Sequence, residues 1–327
     1  MTRNQRGTIS KDWKFQGFDV IMLENQHLRA AVLPTLGAKI FQLIDKRLDL
    51  DLLYHHPRVE LRTSHFGSNV DNWWSGGIDD AFPTGHPCVI DGEELPFLGE
   101  VWSMAWQWEQ VSPCSVKFTR FGVITPFRLS RTMTLNHDDR YLSVNYTLEN
   151  VGTESFPYLW GIHPAVPIGR RTRIHVPATK GLYGDGTLKI GNSDTKIGSG
   201  ASISWPFDSV TEISELPSGN WHHLYLTDVR QGWLAVTDDV TGAGFGMTFS
   251  LKDFPSVHLW VVDGGWRGIR CAVVEPWSGY PARLDEAIAV GQARVLAPGE
   301  CVETEVHIIA FDGQETVNGF DNEGRPL

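Results

Sequence analysis

Alternation of apolar and polar residues with a period of two dominates this chain and constrains it to a fold built from strands. Over 127–135 the apolar residues Phe127, Leu129, Met133 and Leu135 interleave with Arg128, Ser130, Thr132 and Thr134. After the polar stretch 136–140 the pattern resumes, with Leu142, Val144, Tyr146 and Leu148 against Ser143, Asn145, Thr147 and Glu149. Successive side chains of a strand point to opposite faces, so these two runs predict an antiparallel hairpin with one buried face. Val302, Thr304, Val306 and Ile308 against Glu303, Glu305 and His307 predict another strand. Further strands are expected near 20–23, 28–33, 40–45, 116–121, 233–237, 257–262 and 271–275. Helical periodicity is confined to a turn or two over 283–290. The 33 glycines and 18 prolines punctuate the chain so often that many short strands, hence a sandwich or barrel, are predicted.

One residue breaks the pattern. Arg131 falls on the apolar face between Leu129 and Met133. Either its stem packs and its head reaches water or a partner near a sheet edge, or it points a cation into a ligand cavity. The tract 181–204, rich in Gly, Ser, Thr and Asp, reads as an exposed loop or irregular hairpin, and the polar tail after Phe311 as loosely held. With no internal repeat and no linker, residues 1–327 are expected to form one domain.

Composition narrows the function classes. A chain of 327 residues can bury a core without disulfide or metal staples. Its formal net charge of -11 repels phosphate backbones, so nucleic acid is not an expected partner. Cys88, Cys114, Cys271 and Cys301 show no C-x-x-C spacing and are expected to be small buried apolar residues, without a metal site. Residues 1–13 lack the apolar run of a signal peptide, and no stretch approaches the ~20 apolar residues of a membrane span. A cytoplasmic protein away from membranes is expected.

Three segments gather chemistry-bearing residues beside aromatics: 71–87, with Trp74, Asp79, Asp80 and His86; 159–164, with Trp160 and His163; and 273–279, with Glu275 and Trp277. Glu275 closes the small, apolar run 271–274, and desolvation at the end of a buried strand raises a carboxyl toward useful general-base values. The same glutamate could instead simply emerge into solvent. His163 stands where a strand runs into a Gly/Pro-rich segment; imidazole exchanges protons near neutrality, yet a His between apolar residues often only packs. The 13 tryptophans add a substrate hint, since indole faces suit the C–H faces of sugars while Asp, Glu and His suit their hydroxyls. Asp79, Asp80 and His86 suit sugar binding or a turn better than a metal. His55-His56 and His222-His223 are strand neighbours, so at most one of each pair can face a pocket. Gly242-Ala243-Gly244-Phe245-Gly246 opens no helix and reads as a turn, and no G-x-S-x-G elbow occurs.

Taken in order, Leu23-Glu24-Asn25, 33–40, 129–150, Trp160-Gly161-Ile162-His163-Pro164, Val274-Glu275-Pro276-Trp277 and 296–300 resemble the aldose 1-epimerase (galactose mutarotase-like) superfamily over about residues 18–311. The resemblance implies an all-β fold: a twisted antiparallel super-sandwich with very little helix and a cleft across one sheet. It implies a sugar substrate, no cofactor, Glu275 as the base on the anomeric hydroxyl and His163 as the acid on the ring oxygen. Asp79, Asp80, His86, Trp74, Trp277, Lys39 and Arg131 would then bind substrate, and the protein would be a monomer or homodimer. Two positions depart from the family pattern. Leu98-Gly99-Glu100-Val101-Trp102 lacks the upstream histidine, for which His86 is a substitute, and Lys39 stands for an early arginine. These departures leave open a carbohydrate-binding protein without catalysis, or an isomerase or lyase acting on a keto or uronic sugar.

Overall fold

The computed structural model describes residues 7–327 except 191–192, 208–209, 211–212, 214–216 and 314–315. Strands make up 53% of it and helix only 4%. The predicted hairpin forms from Phe127–Thr134 and Tyr141–Asn150, antiparallel, with Met133 opposite Val144 and Leu129 opposite Leu148. The C-terminal alternation becomes Cys301–Asp312, which pairs with Tyr141–Asn150. The short helical stretch is Leu284–Ala289.

Two large antiparallel sheets result. Along the main path of the larger one lie Thr8–Phe15, Phe18–Glu24, Leu28–Leu33, Lys39–Asp45, Ile78–Ala81, Gly161–Pro167, Arg270–Trp277, Ser256–Asp263, Asn220–Leu226, Lys180–Ile190 and Ser193–Ile197. The second runs Thr172–His175, Trp233–Asp238, Ala243–Thr248, Cys301–Asp312, Tyr141–Asn150, Phe127–Thr134, Ser115–Phe121 and Gln107–Ser112. Facing residues of both sheets, among them Ile40, Ile78, Ile162 and Val274 from one and Phe118, Leu129, Val144 and Val306 from the other, share one buried cluster. Burying each such side chain contributes about 1.5–3 kcal/mol. Alternate residues of the same large-sheet strands point the other way. There Trp74, Ala165, Val273 and Trp277 form a separate buried cluster, which Leu284 and Ala287 of the helix help to cover.

Of the two forms expected for the tract 181–204 the hairpin is found, Lys180–Ile190 pairing antiparallel with Ser193–Ile197 and with Ser202–Ser204, with residues 191–192 outside the described set. Two expectations need correction. The tail is held down: Phe320 packs on Phe311 at 5.2 Å and Trp233 at 6.2 Å, and Val317 is buried. Cys88 and Cys271 are buried, but Cys114 is only half-buried and Cys301 is exposed.

Candidate functional site

Cross-strand register builds the site. In the antiparallel ladder Gly161 faces Trp277 and Ala165 faces Val273, which places His163 across from Glu275. His163 is paired on its other side with Asp79, and Glu275 with His258. In-register partners project from the same face of a sheet. Asp79, His163, Glu275 and His258 therefore form a row across four adjacent strands, on the face turned away from the second sheet.

The middle of this row opens into a cavity of about 270 Å³, at the small end of ligand sites and with room for a monosaccharide. His163, Glu275, His86, His223, His258, Asp185 and Asp71 supply its polar wall, and Trp74, Trp221, Trp260, Trp266, Trp277 and Phe97 its aromatic one. His163 Nε2 lies 4.0 Å from Glu275 Oε2. The same oxygen accepts a hydrogen bond from Trp277 Nε1 at 2.9 Å. Trp277 is itself fixed: it stacks on His258 at 4.7 Å and 11°, and Ser256 Oγ donates to its carbonyl. Its indole also fills space that Gly85 and Gly161 leave free, since a Cβ on either would stand 2.8 or 2.2 Å from the ring.

Burial sets the proton inventory. With only 4% of its surface exposed, Glu275 is pushed up to about 8 by desolvation, which the Trp277 hydrogen bond partly opposes. Desolvation pushes His163 down to about 3, and the Lys39 and His86 charges act in the same direction. The same effect holds His86 at about 4 and His223 at about 3, so the other imidazoles are neutral donors and acceptors at physiological pH.

Several expected site residues lie elsewhere. Asp79 and Asp80 are fully buried and do not line the cavity. As neighbours on one strand they face opposite ways: Asp79 pairs with Lys39, and Asp80 with Arg131. Lys39 also donates to the Gly76 carbonyl at 2.7 Å, and Tyr146 donates to Asp80 at 3.0 Å. Arg131, with no exposed surface, donates to the Ala38 carbonyl and lies 5.1 Å from the Trp106 ring centre. It neither reaches water nor points into a ligand cavity; the inward face of its strand is the space between the sheets. Lys39 and Arg131 are thus structural cations, and no lysine or arginine lines the cavity among the described residues. Glu100, at the place of the missing upstream histidine, accepts from the backbone N–H groups of Val123, Ile124 and Thr125 at 2.6, 2.7 and 3.0 Å and so ties down that turn. His86, Trp74 and Trp277 do line the cavity, and Trp74 meets His163 edge-on at 5.7 Å.

Sequence reasoning missed His258, Asp185, Trp221, Trp260 and Trp266. A usable pattern was present: in Val257-His258-Leu259-Trp260-Val261, the His and Trp share the face opposite the three aliphatic residues. His223 is the member of its pair that reaches the cavity; His222 turns inward toward the Tyr183 hydroxyl, 3.4 Å away. Among the described residues no group of three or more His, Cys, Asp or Glu side chains is arranged to hold a metal ion, and no helix is long and apolar enough to cross a membrane.

The twisted two-sheet architecture with its open outer cleft is the fold of galactose mutarotase-like proteins. The chain belongs to the family described as a domain of unknown function, DUF5107, whose profile matches residues 4–263 and stops short of the strand carrying Glu275. No curated protein matches the sequence. Among solved structures, a candidate aldose 1-epimerase from Escherichia coli K12 is 19% identical with a TM-score of 0.65, over 90% of this chain and 99% of that one. A galactose mutarotase-like protein from Clostridium acetobutylicum is 13% identical with a TM-score of 0.66, over 94% and 100%. The Slr1438 protein of Synechocystis sp. PCC 6803 is 17% identical with a TM-score of 0.65, over 93% and 98%.

Proposed function

We propose that the protein is a sugar 1-epimerase that interconverts the α and β anomers of a neutral aldose by acid–base ring opening. The observation that carries this reading is the 4.0 Å approach of His163 Nε2 to Glu275 Oε2 inside an aromatic cavity of monosaccharide size. The anomeric hydroxyl and the ring oxygen share one carbon, so an acid and a base must stand about this close to serve both. One group takes the anomeric O–H proton while the other delivers a proton to the ring oxygen. The bond from C1 to the ring oxygen breaks and C1 becomes a carbonyl. Rotation about C1–C2 and reclosure on the opposite face invert C1 and return both protons, so no cofactor is consumed.

The resting charge states put the proton on the opposite partner from the one these roles need. Between about 3 and about 8 the pair holds a single proton, resting on the carboxyl. Transfer of that proton to the imidazole leaves the net charge unchanged and creates the Glu275 base and His163 acid that ring opening uses. The indole faces, with His86, His223 and Asp185, would hold the ring and its remaining hydroxyls.

The test is anomer exchange of freshly dissolved sugars, followed by polarimetry or NMR across neutral aldoses. Acceleration over buffer that Glu275→Gln reduces by ~10²–10⁴ supports the reading. Equal rates for wild type and variant on every sugar would sink it, and saturable binding without acceleration would leave a sugar-binding protein.

A further inference from the structure

The row of side chains on the outer face continues past the cavity. Beyond Glu275 and His258 it runs to Tyr225 and then Leu182, in-register partners on the next two strands. Tyr225 is two strand spacings from Glu275, roughly 10 Å. Its ring stands 4.6 Å from His258 and 4.8 Å from His223, both of which line the central cavity. On its far side lies a second hollow of about 280 Å³, whose walls include Tyr183, Tyr225, Tyr280, Pro281, Val290 and Gln292. Tyr280 is half-buried and stacks with Tyr225 at 6.3 Å and 25°. The partition between the hollows is thin: Tyr225 faces the second, and Ala282, whose N–H donates to the Tyr225 hydroxyl at 3.4 Å, faces the first.

A tyrosine face with a phenol and a side-chain amide at its margin suits the C–H faces and hydroxyls of a sugar. No lysine or arginine lines this hollow among the described residues, which favours a neutral ring. Anomer exchange also fixes the direction of growth. The anomeric hydroxyl must be free at Glu275 and His163, so any further unit is joined through another oxygen and extends away from that couple. We propose that the hollow around Tyr280 is a subsite for a second neutral sugar residue, and that the ligand is the reducing end of a disaccharide or longer glycan. This inference rests on the sugar reading of the central cavity.

Calorimetry on the full chain tests it, with glucose compared against lactose, maltose, cellobiose and melibiose, all of which end in a reducing glucose. At least one disaccharide is expected to bind about tenfold more tightly than glucose, a difference of about 1.4 kcal/mol. Tyr280→Ala should erase that preference and Tyr280→Phe should keep it. Val290→Arg, at an exposed position on the wall of the hollow, should erase it by filling the space without touching the core. A disaccharide advantage that survives both Tyr280→Ala and Val290→Arg overturns the inference, as does the absence of any advantage or of any binding. Anomer exchange measured on the same wild-type protein separates the two readings: preference without exchange leaves the subsite and removes the catalyst, and exchange without preference does the reverse.

Discussion

Two buried polar clusters sit on opposite faces of the same sheet, and they are built to different ends. Between the sheets, Arg131 meets Asp80, Tyr146 and the Ala38 carbonyl, so charge answers charge. On the outer face His163 and Glu275 are also buried, at 8% and 4% exposure, yet stand 4.0 Å apart and beyond hydrogen-bond reach. The first cluster spends its polar groups on the fold. The second keeps its proton-exchanging atoms turned to a cavity, with burial displacing both from their ordinary titration range. A buried charge with its partners in place is weak grounds for a site, whereas displaced acids and bases facing open space are strong ones.

The contrast is sharpest in Glu275→Gln. Its rate of anomer exchange should fall by ~10²–10⁴, as for loss of a general acid–base group. Its stability should rise, because the folded carboxyl titrates at about 8 against 4.5 in a model peptide. A raised carboxyl binds protons more tightly when folded, so its contribution is lost as pH rises from 4.5 toward 8. Removing it should therefore gain up to roughly 3 kcal/mol at pH 7, measured by urea unfolding. A destabilised, fully active Glu275→Gln would put this residue in the structural class.

Arg131→Met should do the opposite and lower stability by about 3–5 kcal/mol, because Asp80 is left buried without its cation. Adding Asp80→Asn should recover much of the loss, as read by the unfolding midpoint. A sharp change in sugar affinity with no change in stability would break the distinction between the clusters.

Anomer exchange should follow a bell in pH, since only the form holding one proton has both an acid and a base. The acid limb is expected near 3, where His163 gains a proton, and the alkaline limb near 8, where Glu275 loses its proton. A rate independent of pH between 6 and 10 would contradict the pairing. Smallest in effect, Trp277→Phe removes the indole donor that favours the Glu275 carboxylate, so the alkaline limb should move upward. A downward movement would mean that the indole acts through packing alone.

These clusters also mark where the sequence stops being readable. Local alternation was enough to place the hairpin at 127–150, because the faces of a strand are set by neighbours along the chain. It also showed that Arg131 sits on the apolar face. It could not show that this face meets a second sheet whose partner aspartate lies 51 positions away. Asp79 and Asp80 misled for the same reason: both are acidic and adjacent to aromatics, but a period of two sends them to different faces and to different cations. Local sequence singled out His163 and Glu275 as a candidate couple but could not show that they meet, since their meeting depends on Gly161–Pro167 pairing with Arg270–Trp277. His258 and His223 carry no motif, and only the order of strands in the sheet brings them alongside.

The seat of the Trp277 indole carries a consequence for how such a protein changes over time. Gly85 and Gly161 provide that seat by having no side chain, so the alignment of Glu275 hangs on two residues that a search for reactive groups passes over. A lineage that exchanged either for alanine would retain every acid, base and aromatic wall while losing their mutual aim. Descendants able only to hold a sugar would then differ from their catalytic ancestor by a single methyl group.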